Sequence, residues 1–118
     1  DIDLQEPVKC DRQRIGQLLS NLLGNASVYG LSTAPIQVRA RAHGGQFELS
    51  VTNAGKDIAP YELERLFQPF FRGKVGNREG LGLGLYICSE IAKAHRGTIS
   101  VSSENGTTCF TLQMPTSA

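Results

Sequence analysis

The stretch that does most to define what this chain can build is Gly80-Leu81-Gly82-Leu83-Gly84, three glycines alternating with leucine just before a helical pattern. Glycine has no Cβ, so this backbone reaches conformations closed to other residues and lets a ligand approach its N–H groups closely. From Leu83 onward the apolar residues Leu83, Ile87, Ile91, Ala92 and Ala94 recur at helical rather than strand spacing. The unpaired N–H groups and positive dipole end of that helix face the glycine run, a combination that takes up an anion. A glycine-rich turn before a helix also serves plain chain reversal, so the flanking sequence decides between the two.

A chain of 118 residues, 40% of them hydrophobic, builds one domain with a single core. Its 12 basic and 11 acidic residues give a net charge of +1 and are interspersed, which removes the electrostatic footprint of a nucleic-acid binder and leaves any anion site local. Cys10, Cys88 and Cys109 stand singly in apolar surroundings without metal-ligand spacing and read as buried free thiols of a reducing compartment. No run approaches the roughly 20 apolar residues of a membrane span, and no signal peptide is present. The expectation is a cytoplasmic domain without membrane contact. The chain starts without Met on a charged, extended segment, as a piece of a longer protein would.

Residues 1–9 alternate apolar and polar around Pro7 and suit a short edge strand. Asp11 offers an N-cap, and Ile15, Leu18, Leu19, Leu22, Leu23 and Ala26 form the stripe of a core-facing helix that runs to about Tyr29, where Gly30 ends it. Asn21 and Asn25 lie one turn apart on the shoulder of that stripe. Asparagine is a poor helix former, and two amides beside a buried stripe need partners. A neighbouring loop or a ligand can supply them.

Ile36 to Ala42 alternates strictly, His43-Gly44-Gly45 turns the chain, and Phe47, Leu49 and Val51 continue the inward face on a partner strand. Asn53 to Ile58 reads as a loop, Pro60 opens a short helix through about Phe67, and residues 71–79 form a polar lid expected to be mobile without ligand. Asn105-Gly106 between two alternating runs is a hairpin signal, and Pro115 ends the last strand. His95 and Gly97 suit a helix end and turn. The elements sum to an α+β two-layer sandwich, a mixed, mostly antiparallel sheet covered on one face by helices.

Four separated stretches, in order, resemble the ATP-binding catalytic domain of sensor histidine kinases, a superfamily shared with gyrase, the heat-shock chaperone ATPases and mismatch-repair ATPases. Gln17 to Ala26 resembles the N box, Asn53-Ala54-Gly55-Lys56-Asp57-Ile58 the G1 box, Leu66 to Phe70 the F box and Gly80 to Leu85 the G2 box; Asn105-Gly106-Thr107 resembles the terminal glycine motif. The resemblance covers nearly the whole of residues 1–118 and implies a single Bergerat-fold domain, the C-terminal part of a longer kinase. It implies ATP and Mg²⁺ as ligands, with Asn25 on the metal and Asn21 beside it in the catalytic N box. Tyr29, Asn53, Gly55, Ile58, Phe70, Arg72, Gly80, Leu81, Gly82, Leu83, Gly84, Leu85 and Thr107 would complete the nucleotide contacts. Lys74, in the lid with Arg72, is a further candidate.

The departures from the family pattern are specific. Asn53 stands where the G1 box usually has aspartate, Asp57 where it has a second glycine, and Val28 where a basic residue is common; the G1 variation resembles phytochrome-like kinases. The expected activity is presentation of the γ-phosphate of MgATP to a histidine on a separate dimerisation domain, with a response regulator downstream. Autokinase activity is not expected of the chain by itself, and the fragment is expected to be monomeric. The alternatives are a serine kinase of the anti-sigma type and a degenerate nucleotide-binding module in a phosphatase-biased receptor.

Overall fold

The computed structural model describes residues 1–29, 34–69 and 84–117, with side chains in the first helix described through Ala26. Its elements are β1 (Ile2–Leu4), α1 (Arg12–Tyr29), β2 (Gln37–His43), β3 (Gln46–Ala54), α2 (Pro60–Leu63), α3 (Gly84–Ala94), β4 (Thr98–Glu104) and β5 (Thr107–Pro115). The five strands form one sheet in the order β1-β2-β3-β5-β4, in which only β1 and β2 run parallel. This is the expected α+β arrangement, with α1 and α3 packed on each other and on one face of the sheet.

Two glycine-bearing turns set the register. Gly44 and Gly45, with φ of +63° and +80°, close β2 on β3, and Asn105 and Gly106, at +54° and +77°, close β4 on β5. Positive φ at both central residues gives the turn twist that matches paired strands. The inward residues then align in rows across the sheet. One row holds Ala40, Leu49, Leu112 and Ile99, and the next holds Val38, Val51, Phe110 and Val101. Leu18, Leu22 and Ala26 of α1, all fully buried, close the core from above, and Phe67 meets Phe110 edge-on at 6.2 Å.

Several details differ from the sequence reading. Ile36 lies outside β2 and is exposed, and β3 extends through Asn53 and Ala54 instead of ending before them. The helix opened by Pro60 ends at Leu63, after which turn bonds from Arg65 N–H to Glu62 O and from Gln68 N–H to Arg65 O carry the chain on. The buried face of α3 consists of Leu85, Cys88, Ile91 and Ala92, while Ala94 is exposed. The three cysteines are free, but only Cys88 is buried.

Residues 5–11 strap the end of the sheet where the β2–β3 turn lies. Gln5 N–H bonds Ala42 O at 2.8 Å, Gly45 N–H bonds Glu6 Oε1 at 2.8 Å, and Lys9 N–H bonds Thr116 O at 2.7 Å. The strap enters α1 through Asp11, whose Oδ1 accepts Arg14 N–H at 3.2 Å as the predicted N-cap. Asp11 N–H in turn donates to His95 Nε2 at 3.1 Å, which places the imidazole proton on Nδ1, 2.9 Å from Ile91 O. His95 thereby tethers the start of α1 to the end of α3.

Candidate functional site

At the other end of the sheet the apolar rows give way to a polar one. Asn53, Thr108 and Ser103 are the next inward positions of β3, β5 and β4, and the register pairs Asn53 with Thr108 and Thr108 with Ser103. Ser103 Oγ and Thr108 Oγ1 lie 2.9 Å apart, and Ser103 Oγ also accepts Ile58 N–H at 2.7 Å. Thr108 is fully buried and Asn53 only 3% exposed. Asn53 Nδ2 reaches Ala54 O at 3.5 Å, while its Oδ1 is buried without a hydrogen-bond partner.

The segment after Asn53 is fastened to the β4–β5 turn. Gly55 N–H donates to Gly106 O at 2.9 Å, and Gly106 N–H donates to Asp57 Oδ1 at 2.8 Å. These bonds carry the chain back to Ile58, which is buried in the core with Leu85. Thr107 is exposed opposite Ala54; the buried neighbour of Asn53 is Thr108, a residue the motif reading passed over. Its signal was the inward alternation Thr108, Phe110, Leu112, Met114 along β5.

The two helix asparagines serve different ends. Asn21 Nδ2 donates to Gly84 O at 3.2 Å and thereby ties the first residue of α3 to α1. A Cβ at Gly84 would make ordinary van der Waals contact with Asn21 Cγ, at 3.9 Å. Asn25, one turn further, is half-buried, and its Nδ2 is buried without a partner. Among the described residues, Asn25 Nδ2 and Asn53 Oδ1 are the buried side-chain polar atoms left unpaired. An unpaired buried polar atom costs about 1–3 kcal/mol, so at each of these two positions an incoming donor or acceptor would relieve that cost.

Phe70, Arg72, Lys74, Gly80, Leu81, Gly82, Leu83, the lid of residues 71–79 and the side chain of Tyr29 lie outside the described residues. No group of three or more His, Cys, Asp and Glu side chains arranged to hold a metal ion occurs among the described residues, and no described helix is long and apolar enough to cross a membrane.

The family model described as "Histidine kinase-, DNA gyrase B-, and HSP90-like ATPase" matches residues 10–118. A bacteriophytochrome of Pseudomonas aeruginosa is 38% identical over 117 residues, covering 97% of this chain and 16% of the relative. The sensor histidine kinase TrcS of Mycobacterium tuberculosis is 41% identical over 115 residues, covering 92% of this chain and 23% of its own length. The chain thus spans less than a quarter of each of these two relatives. The nucleotide-free catalytic domain of histidine kinase ThkA superposes with a TM-score of 0.84 at 30% identity, over 99% of this chain and 79% of that one. ThkA in complex with the response regulator TrrA superposes at 0.75 and 28% identity, over 98% of this chain and 33% of that one.

Proposed function

The chain belongs to the histidine kinase-, DNA gyrase B- and HSP90-like ATPase family, and from that premise we propose that it binds ATP with Mg²⁺ and positions the γ-phosphoryl group for in-line transfer to a histidine on a separate dimerisation domain. The observation that carries the reading is the unpaired, buried Oδ1 of Asn53 at the end of the polar row. The exocyclic amine of adenine is a donor that would relieve it. Ile58 and Leu85 would give the base its apolar walls, and Gly55 would let it approach the backbone.

Asn25 fits the polyphosphate end. Its buried, partnerless Nδ2 is suited to donate to a phosphate oxygen, which leaves the amide oxygen as the kind of neutral ligand Mg²⁺ accepts among phosphates and retained waters. The metal, when bound, would neutralise charge on the phosphates. Asn21 would hold the N-terminus of α3, and with it the end of the glycine run, against α1. This chain's own residues would then bind, orient and hold, and the transfer would draw its rate from alignment and charge neutralisation.

The acceptor histidine and the response regulator belong to parts or partners beyond this chain, consistent with the small share of each relative that it spans. Both ring nitrogens of His95 are occupied, which makes it unsuited to be the acceptor. The test is calorimetric titration of the chain with ATP, ADP and GTP, with and without Mg²⁺. Asn25→Ala is expected to lose most of the Mg²⁺-dependent affinity, and Asn53→Leu to lose the preference for ATP over GTP. A parent chain that binds ATP and GTP alike, or an Asn25→Ala variant that binds MgATP as tightly as the parent, would refute the corresponding assignment.

A further inference from the structure

Asp57 is exposed, yet its carboxylate reaches a residue 49 positions away and bonds Gly106 N–H at 2.8 Å. Gly106 is gripped a second time, since its carbonyl accepts Gly55 N–H at 2.9 Å. Both backbone polar groups of this one turn residue are thus engaged by the Asn53–Ile58 segment. Gly106 has φ of +77°, a conformation that side chains rarely adopt, so the turn is built to hold this geometry. A third stitch, Ile58 N–H to Ser103 Oγ at 2.7 Å, closes the segment at its far end.

We infer that Asp57 is a positioning residue for the nucleotide base: through Gly106 and Gly55 its carboxylate fixes the spacing between Asn53 Oδ1 and the apolar floor at Ile58. Between β3 and that floor the chain has no regular structure, and without a fastening it would have to be ordered when the base binds. A carboxylate acceptor ties it beforehand. A glycine at this position, as the family pattern has, offers no side-chain acceptor, so this chain orders the same segment by a different device. The inference rests on the assignment of Asn53 to the base in the preceding subsection.

The test compares Asp57→Ala and Asp57→Asn with the parent by titration with MgATP and with inorganic tripolyphosphate, which has phosphates and no base. Asp57→Ala is expected to weaken ATP about five-fold, the scale of one exposed hydrogen bond, and to leave tripolyphosphate within about two-fold. Asp57→Asn keeps an acceptor oxygen and should recover most of the loss, with the Gly106 amide resonance near its parental position; in Asp57→Ala that resonance should shift. Ser103→Ala, which removes the third stitch, is the independent variant and should show the same selective loss. Unchanged ATP affinity in Asp57→Ala overturns the inference, and so does an equal loss for both ligands, which would mark a general defect in folding. If the parent itself binds ATP no better than tripolyphosphate, the assignment of Asn53 fails first and takes this inference with it.

Discussion

Arg96 carries a backbone φ of +60°, and the next residue, Gly97, donates its N–H back to Ala92 O at 2.8 Å, closing α3 through a left-handed residue that is not glycine. The glycine sits one position later for a different reason: a Cβ on Gly97 would lie 2.3 Å from Gln113 O and 2.7 Å from Met114 Cβ. Left-handed backbone costs a non-glycine residue roughly 1 kcal/mol. Arg96→Gly is therefore expected to raise stability by about 1 kcal/mol, whereas Gly97→Ala should lower it by about 3 kcal/mol because β5 backbone stands in the way; urea unfolding measures both. At Asn53 the two effects of one substitution run in opposite directions. Asn53→Asp would bury a charge at a position only 3% exposed and lower the melting temperature without nucleotide. It should also tighten ATP and ADP alike, because hydrogen bonds to a charged group exceed neutral ones by about 1 kcal/mol, several-fold in affinity. Thermal melts with and without ADP would show the two signs together.

The α1–α3 contact holds Cys88, fully buried, with Sγ 3.7 Å from Leu18 O. Burial pushes its thiol from 9.0 up to about 12, against a smaller opposing pull from Asn21. Below pH 9 the thiol is neutral in folded and unfolded chains, and its contribution is fully present. Between pH 9 and about 12 the unfolded chain releases this proton and the folded chain keeps it, so stability falls by about 1.4 kcal/mol per pH unit from this group. Cys88→Ala should be less stable at neutral pH for want of the sulfur's packing, yet lose less than the parent between pH 9 and 11; an identical slope in both would contradict the assignment. Cys88 also belongs to a helix face that the apolar pattern outlined only in part. Cysteine behaves as a small apolar residue, so the buried series Leu85, Cys88, Ile91, Ala92 is regular; of the other helix positions in the apolar pattern, Ile87 packs partly buried against the core and Ala94 is exposed. Local signals were legible: the α1 stripe, both two-residue turns, and the period of two through Phe47, Leu49 and Val51. Features that depend on what lies opposite were not. The Asp57–Gly106 bond, Thr108 beside Asn53 and the His95 tether all join residues far apart in sequence, and nothing in a local pattern announces them.

Across the whole molecule the strap of residues 5–11 and the polar row of Asn53, Thr108 and Ser103 occupy opposite ends of one sheet, with the apolar rows between them. The seam between β3 and β5 runs the length of that axis, from Gln46 opposite Pro115 to Ala54 opposite Thr107. Its two flanking hairpins, β2–β3 and β4–β5, each close over two residues and need no other part of the chain. The seam itself joins segments separated by α2 and α3. This asymmetry has a kinetic consequence. Local hairpins form in microseconds, whereas pairings across a long loop wait on the entropy of bringing its ends together. Because Asn53 meets Thr108 only within the seam, the proposed nucleotide site comes into being at the late, non-local step. A ligand that contacts this site then stabilises the folded chain without helping the transition state. In stopped-flow experiments MgATP should slow unfolding in proportion to its occupancy and leave the refolding rate unchanged, whereas a faster refolding rate would place the seam before the barrier.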